Sequence, residues 1–161
     1  MYKVEKVLPF DHSDSSKSVQ VERMFDQIAA GYDTMNHTMS LNMDKRWRTR
    51  GIKALADIKP QRILDVATGT GDLAIEAYMR LRPASIVGID ISEQMMNVGR
   101  TKVERLGLGD SILFDRQNCC DLSFEDESFD AVMAAFGVRN FEDLDKGLCE
   151  MLRVLRRGGG L

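Results

Sequence analysis

Three carboxylates, Asp65, Asp72 and Asp90, and two glycines, Gly69 and Gly71, are the residues best spaced to hold a small ligand. Four of the five fall in Ile63-Leu64-Asp65-Val66-Ala67-Thr68-Gly69-Thr70-Gly71-Asp72, an apolar strand pattern that runs into a glycine turn and then a helix. Such a chain must bend sharply, and glycine admits both the positive φ and the close ligand approach that the bend requires. The unpaired N–H groups of the helix opening near Asp72 face the same space. With Ala74 in third place the segment also satisfies Gly-x-Gly-x-x-Ala, so a dinucleotide must be weighed. Charge separates the two ligands. Unit charges about 4 Å apart interact by about 4 kcal/mol at an effective dielectric of 20, and Asp65 and Asp72 bracket the turn. A pyrophosphate meets repulsion there, whereas S-adenosylmethionine, with its sulfonium and ammonium groups and no phosphate, meets attraction. An exposed helix cap explains Asp72 at least as well as ligand contact. Asp65 is read as functional.

Asp90 closes the next strand about twenty residues after the turn, the interval at which an acidic residue meets the ribose hydroxyls of an adenosine ligand. A carboxylate accepts from both hydroxyls more strongly than a neutral side chain does. Ser92 offers an N-cap oxygen to the following helix, which leaves Asp90 free for the ribose.

The elements that must position these groups follow from apolar periodicity. Val21, Met24, Phe25, Ile28 and Ala29 make a helical stripe that stops at Gly31, with Ser18 as its cap. A second helix is expected from about Ser40 to Asp57, before Pro60. Short apolar runs at 62–67, 85–90, 111–114 and 129–136 then alternate with helical stretches, the βαβ order of a mostly parallel sheet with helices on both faces. A last helix carries Leu144, Leu148, Met151, Leu152 and Leu155, and Gly158, Gly159 and Gly160 are expected to break it and feed a further strand. Ending at Leu161, the chain is expected to be a cut through a domain, with the fourth strand left as a bare apolar edge that favours a homodimer or aggregation. Residues 1–18 read as a flexible arm, and 19–161 as one domain with lid helices at 19–58 and a partial core at 61–161.

With 22 Lys+Arg against 25 Asp+Glu, a net charge of −3 and 43% apolar residues, the 161-residue chain suits a single buried core and no nucleic-acid partner. Cys119, Cys120 and Cys149 form neither a disulfide framework nor a zinc spacing, which points to a reducing compartment, the cytoplasm. No metal is expected.

The segments LDVATGTGDLA, GIDISEQMM and FGVRNF together resemble the class I methyltransferases, and more narrowly the ubiquinone/menaquinone-biosynthesis C-methyltransferases. Tyr32-Asp33-Thr34-Met35-Asn36 with Ser40 and Trp47 is similar to that family's first signature, and Arg153-Val154-Leu155 with Gly158-Gly159 to the start of its second. Asp44 stands where the family commonly has histidine, and Arg156-Arg157 where it has Lys-Pro. The resemblance implies a Rossmann-like fold with seven strands when complete. It also implies S-adenosylmethionine as cofactor, bound at Thr70 and Asp90 with Asn118 and Cys119 at the adenine, and the reading of the turn adds Asp65, Gly69 and Gly71. Cys119 replaces a usual alanine.

The implied reaction is methyl transfer to a ring carbon of a polyprenyl hydroquinone, demethylmenaquinol or the corresponding benzoquinol. Carbon attacks only when a quinol hydroxyl loses its proton and the phenolate is held by a cation or hydrogen-bond donor. Arg139 and Asn140, directly after the fourth strand, are the catalytic candidates, and a loop ion pair to Glu142 or Asp143 is the rival reading of Arg139. Tyr32, Asp33, Asn36 and His37 form a polar cluster suited to a lid. Met35, Met39 and Met43 offer an adaptable edge for an isoprenoid tail, or ordinary packing. Lys45, Arg46, Arg48, Arg50 and Lys53 beside Trp47 suit either peripheral contact with an anionic membrane or a solvated helix face. An NAD-dependent oxidoreductase and a non-catalytic cofactor-holding module are the competing functions.

Overall fold

A computed structural model describes residues 8–9, 15–33 and 43–161. Met35, Asn36, His37, Met39, Ser40 and most of the proposed arm lie outside the described residues. Helix α1 spans Lys17–Ile28 and ends in a tight turn at Ala29–Gly31. Its cap is Ser16, whose Oγ accepts from the Val19 amide, and not Ser18, whose hydroxyl is turned to Glu142. Helix α2 spans Met43–Ala54, and a single turn at Ala56–Ile58 follows it.

The core then alternates β1 (Arg62–Val66), α3 (Asp72–Leu81), β2 (Ser85–Asp90), α4 (Glu93–Arg105) and β3 (Ile112–Arg116). After a loop come β4 (Phe129–Ala134), a turn at Val138–Asn140, α5 (Leu144–Val154) and β5 (Leu155–Gly160). The strands form one sheet in the order β3-β2-β1-β4-β5, every neighbouring pair parallel. Parallel strands need crossovers, and the apolar helical stretches supply them.

Alternation along β1 explains its nearly unbroken apolar run. Ile63 points to one core with Ile52, Leu73, Ala77, Ile86 and Val103, while Leu64 and Val66 point to the other with Phe129, Phe141, Met151 and Val154. Asp130 pins the start of the central strands, accepting from the amides of Gln61 (2.6 Å) and Arg62 (2.9 Å) and pairing with Arg156. Arg153 ties α5 to the loop after β3, donating to the carbonyls of Leu122 (2.9 Å) and Phe124 (2.8 Å) and to Asp126 and Glu150.

The Rossmann-like, parallel expectation holds, with five strands described where the resemblance implied seven. The expected bare edge at β4 does not occur. Leu155–Gly160 leaves the helix and pairs with β4, though irregularly, meeting it at Phe129↔Leu155 and Ala131↔Gly160 with a register shift between. Glycines have low strand propensity but can lie flat against a neighbour, and Gly160 fits closely under Leu55 and Ile58.

Candidate functional site

The carboxyl ends of β1, β2 and β4 open into one crevice of about 750 Å³, its mouth included. Ligands of parallel sheets collect at such ends, where the chain leaves the strands for loops. Gly69, Asp90, Asn118, Cys119, Arg139 and Asn140 all line it. Helix α1 roofs it with Ser18, Val21 and Phe25, and Tyr32 closes one side, its ring edge-on to Phe25 at 5.7 Å.

The glycine turn is tied to the next strand by Asp90. One carboxylate oxygen accepts from the Gly69 amide (2.8 Å) and the other from the Ser92 amide (2.9 Å). Asp90 is therefore not free, although Ser92 does cap α4 through the Met95 amide as expected. Each oxygen keeps a second acceptor position for a ligand hydroxyl. Burial raises the Asp90 pKa above the ordinary carboxylate value, partly offset by those two amides.

Asp65 lies behind the turn rather than on the crevice wall. It is fully buried, accepts from the Thr68 hydroxyl at 2.6 Å, and leaves its other oxygen without a hydrogen bond. Burial pushes its pKa up to about 7, with the charge of Asp90 adding a smaller push. Asp72 opens α3 and is ion-paired with Lys102 (2.8 Å) and Arg48 (3.2 Å). The electrostatic case from Asp65 and Asp72 is corrected accordingly. One holds its proton near neutrality and the other is already matched by cations, so Asp90 and Glu142 are the carboxylates on the crevice wall among the described residues.

Thr70 and Gly71 also lie off the crevice lining and shape the turn. Gly71 takes φ +77° at the helix cap, and a side chain there would run into the Phe114 ring at 2.7 Å. The Thr70 hydroxyl donates to Asp33 at 2.5 Å, and Asp33 pairs in turn with Lys102 at 2.5 Å. Asp33 thus clips the end of the α1 segment to the turn and to α4. Of the polar cluster read from sequence, Tyr32 and Asp33 reach the site; Asn36 and His37 lie outside the described residues.

The Asn118 side-chain oxygen accepts from the Cys120 amide (2.9 Å), so its N–H₂ group is directed elsewhere and can meet a ligand acceptor. Cys119 presses its side chain on the crevice, and burial raises its thiol pKa, which suits packing rather than reactivity. The two vicinal sulfurs stand 4.0 Å apart.

Arg139 and Asn140 stand on the short turn after β4, held by the Asn140 amide donating to the Gly137 carbonyl (2.8 Å). The expected rival ion pair is not seen among the described residues. Glu142 receives the Ser18 hydroxyl, and Asp143 caps α5 at the Lys146 amide. Arg139 is exposed and turned to the crevice without a carboxylate partner among the described residues. Gly137 is required by contact, since a Cβ there would stand 2.3 Å from the Ala67 Cβ. The reading of 19–58 as lid helices does not say which of their side chains face the crevice. The stripe Val21 and Phe25 was legible, but a stripe does not say what it covers.

These donors and acceptors fit S-adenosylmethionine: a carboxylate beside an amide-lined turn and an asparagine amide further along. Comparison with known proteins agrees. The model of the ubiE/COQ5 methyltransferase family matches residues 13–161. A protein named demethylmenaquinone methyltransferase from Bacteroides fragilis is 56% identical over 160 residues, which cover 99% of this chain and 65% of that one. A ubiquinone/menaquinone biosynthesis C-methyltransferase from Geobacter sulfurreducens is 42% identical over 146 residues, 90% of this chain and 57% of that one. The chain therefore spans less than two thirds of the length of these relatives. Among solved structures, the [4+2]-cyclase SpnF superposes with a TM-score of 0.69 at 24% identity, covering 90% of this chain and 59% of that one, a likeness of fold alone.

Proposed function

Because the chain belongs to the ubiE/COQ5 methyltransferase family, we propose that it forms the cofactor-binding and catalytic part of an S-adenosylmethionine-dependent C-methyltransferase acting on a polyprenyl hydroquinone. The observation that supports this most directly is the gathering of Asp90, Asn118, Arg139 and Asn140 on one crevice beside the glycine turn. Demethylmenaquinol is the preferred acceptor, from the name of the Bacteroides fragilis relative.

When bound, the cofactor supplies a methyl group on a sulfonium that needs no further activation. Asp90 would accept from the ribose hydroxyls through its remaining lone pairs, and Asn118 would donate to the adenine edge with Cys119 packed beside it. Gly69 brings the main chain close to the ligand, while Asp65, Thr70 and Gly71 hold the turn in shape. The Arg139 guanidinium holds the quinol oxygen as phenolate and leaves electron density on the ring carbon. Asn140 orients that hydroxyl, whose proton leaves to water; once the ring carbon carries the methyl group, its own hydrogen leaves to water as a proton and the phenolate oxygen is reprotonated. Holding donor and acceptor in line supplies much of the remaining rate.

Calorimetric titration with S-adenosylhomocysteine and with NADH tests the cofactor. Binding of the first and not the second is expected, and the reverse overturns the reading. Transfer of labelled methyl from S-adenosylmethionine to a short-tailed naphthoquinol tests the reaction. Arg139→Ala should lower kcat by roughly 10²–10³-fold, as for loss of one group that stabilises transition-state charge. Unchanged kcat would remove Arg139 from the chemistry.

A further inference from the structure

The turn after β3 carries two thiols that the methyl-transfer reading uses only for packing. Cys119 lines the crevice, Cys120 is buried at 7% exposure, and their sulfurs stand 4.0 Å apart. Asn118 fixes the turn that presents them. Its side-chain oxygen accepts from the Cys120 amide (2.9 Å) and its carbonyl from the Asp121 amide (3.0 Å). The Cys120 thiol donates to the Asp143 carbonyl at 3.3 Å, a weak bond for a sulfur donor.

Three chemistries use a thiol pair, and geometry separates them. A disulfide wants its Cα atoms about 4.4–6.8 Å apart, whereas sequence neighbours stand about 3.8 Å apart. Direct oxidation would strain the turn. A metal ion wants thiolates and further donors. Burial raises the Cys119 pKa, so that thiol keeps its proton, and among the described residues no group of three His, Cys, Asp or Glu is placed to hold a metal. A single bridging atom that accepts two protonated thiols and brings its own third substituent meets neither obstacle. Two bonds of about 2.3 Å, the length sulfur makes to zinc, span the 4.0 Å gap at an angle of about 120°. Trivalent arsenic, with tighter angles, needs the sulfurs to close by roughly half an ångström, a rotation that a side chain makes within one rotamer well. The weak bond to Asp143 is all that Cys120 gives up.

We infer that Cys119 and Cys120 form a dithiol site for trivalent arsenicals, and that its occupant stands where the adenine of the cofactor packs. The second half rests on the reading under Proposed function; the bridge itself does not. An arsenical of the form R–As=O loses its oxygen as two As–S bonds form, and both thiol protons leave with that oxygen as one water. Arsenic stays trivalent, so neither oxidant nor reductant is consumed. Cys119 meets the reagent first, being the sulfur on the crevice wall, and the second bond then closes within the molecule at high effective concentration. Bridge and cofactor compete for one space, so each weakens the binding of the other.

Phenylarsine oxide is the probe, on a chain in which Cys149→Ser removes the exposed third thiol. Intact-mass spectrometry should find one phenylarsenic group per chain with loss of one water, retained in excess β-mercaptoethanol and released by 2,3-dimercaptopropanol. Cys119→Ala and Cys120→Ala should each leave an adduct that β-mercaptoethanol removes, with half-blocking concentration raised at least tenfold. Saturating S-adenosylhomocysteine should slow adduct formation at least tenfold, and the bridged chain should bind S-adenosylhomocysteine at least tenfold more weakly while its circular dichroism stays native. Four results overturn the inference: no adduct that survives the monothiol, equal survival after Cys120→Ala, an unslowed reaction in a chain that does bind S-adenosylhomocysteine, or an adduct that forms only as the fold is lost. The two readings fail separately. A monothiol-resistant bridge in a parent chain that does not bind S-adenosylhomocysteine keeps the dithiol site and overturns the cofactor; binding of S-adenosylhomocysteine without a bridge does the opposite.

Discussion

Asp65 has the most to say at the level of single residues. Its carboxyl is fully buried with one oxygen unbonded, and burial lifts its pKa to about 7 from the ordinary 3.8. Between about pH 4 and pH 7 the folded chain keeps a proton that the unfolded chain has released. Stability therefore falls as pH rises through that window, and the whole penalty is present above it. Asp90, also raised by burial, acts with the same sign. Asp65→Asn keeps an acceptor for Thr68 but cannot ionise. It should match the parent chain near pH 4.5 and be more stable by about 1–3 kcal/mol at pH 8, read by circular-dichroism melting at both pH values. A gap that fails to widen with pH would mean that Asp65 ionises freely in the folded state.

Elements matter here chiefly through where they end. Gly137→Ala would press a methyl group against Ala67, so the ends of β1 and β4 must separate. A loss of about 1–3 kcal/mol and weaker S-adenosylhomocysteine binding are expected, whereas Gly109→Ala, with open space around it, should change stability little. Asp33 joins the α1 segment to the glycine turn through Thr70 and to α4 through Lys102. Asp33→Ala should speed amide exchange in Lys17–Ile28 and weaken the cofactor product several-fold; unchanged exchange would show that the roof is held by α1 packing alone. The same ends explain what the sequence disclosed. Ile63, Leu64 and Val66, or Ile86 and Ile89, announce their strands because both faces are buried, and Gly69 and Gly71 announce the bend. Lys102 and Arg48 reach Asp72 from α4 and α2, and no spacing rule reports which helices will meet. Periodicity likewise read Leu155 as helical and Gly158–Gly160 as a break, because it cannot weigh pairing with a distant strand such as β4.

For the molecule as a whole, the sheet is graded in strength from its centre to its edge. β1 is paired on both sides over most of its length, whereas β5 meets β4 at two positions and is half glycine. Hydrogen exchange should find the β1 and β4 amides protected to the level of global unfolding and those of Arg157–Gly160 open by local fraying, orders of magnitude faster. Equal protection would mean that the edge folds with the core. Among the described residues no helix is long and apolar enough to cross a membrane. The strand order also has a consequence for synthesis. On the ribosome, β1, β2 and β3 emerge in sequence and can pair at once, while the other edge of β1 waits for Phe129–Ala134 to be translated. During that interval a strand that ends up almost wholly buried has an open side, and a chaperone that shields extended hydrophobic segments would have its work there.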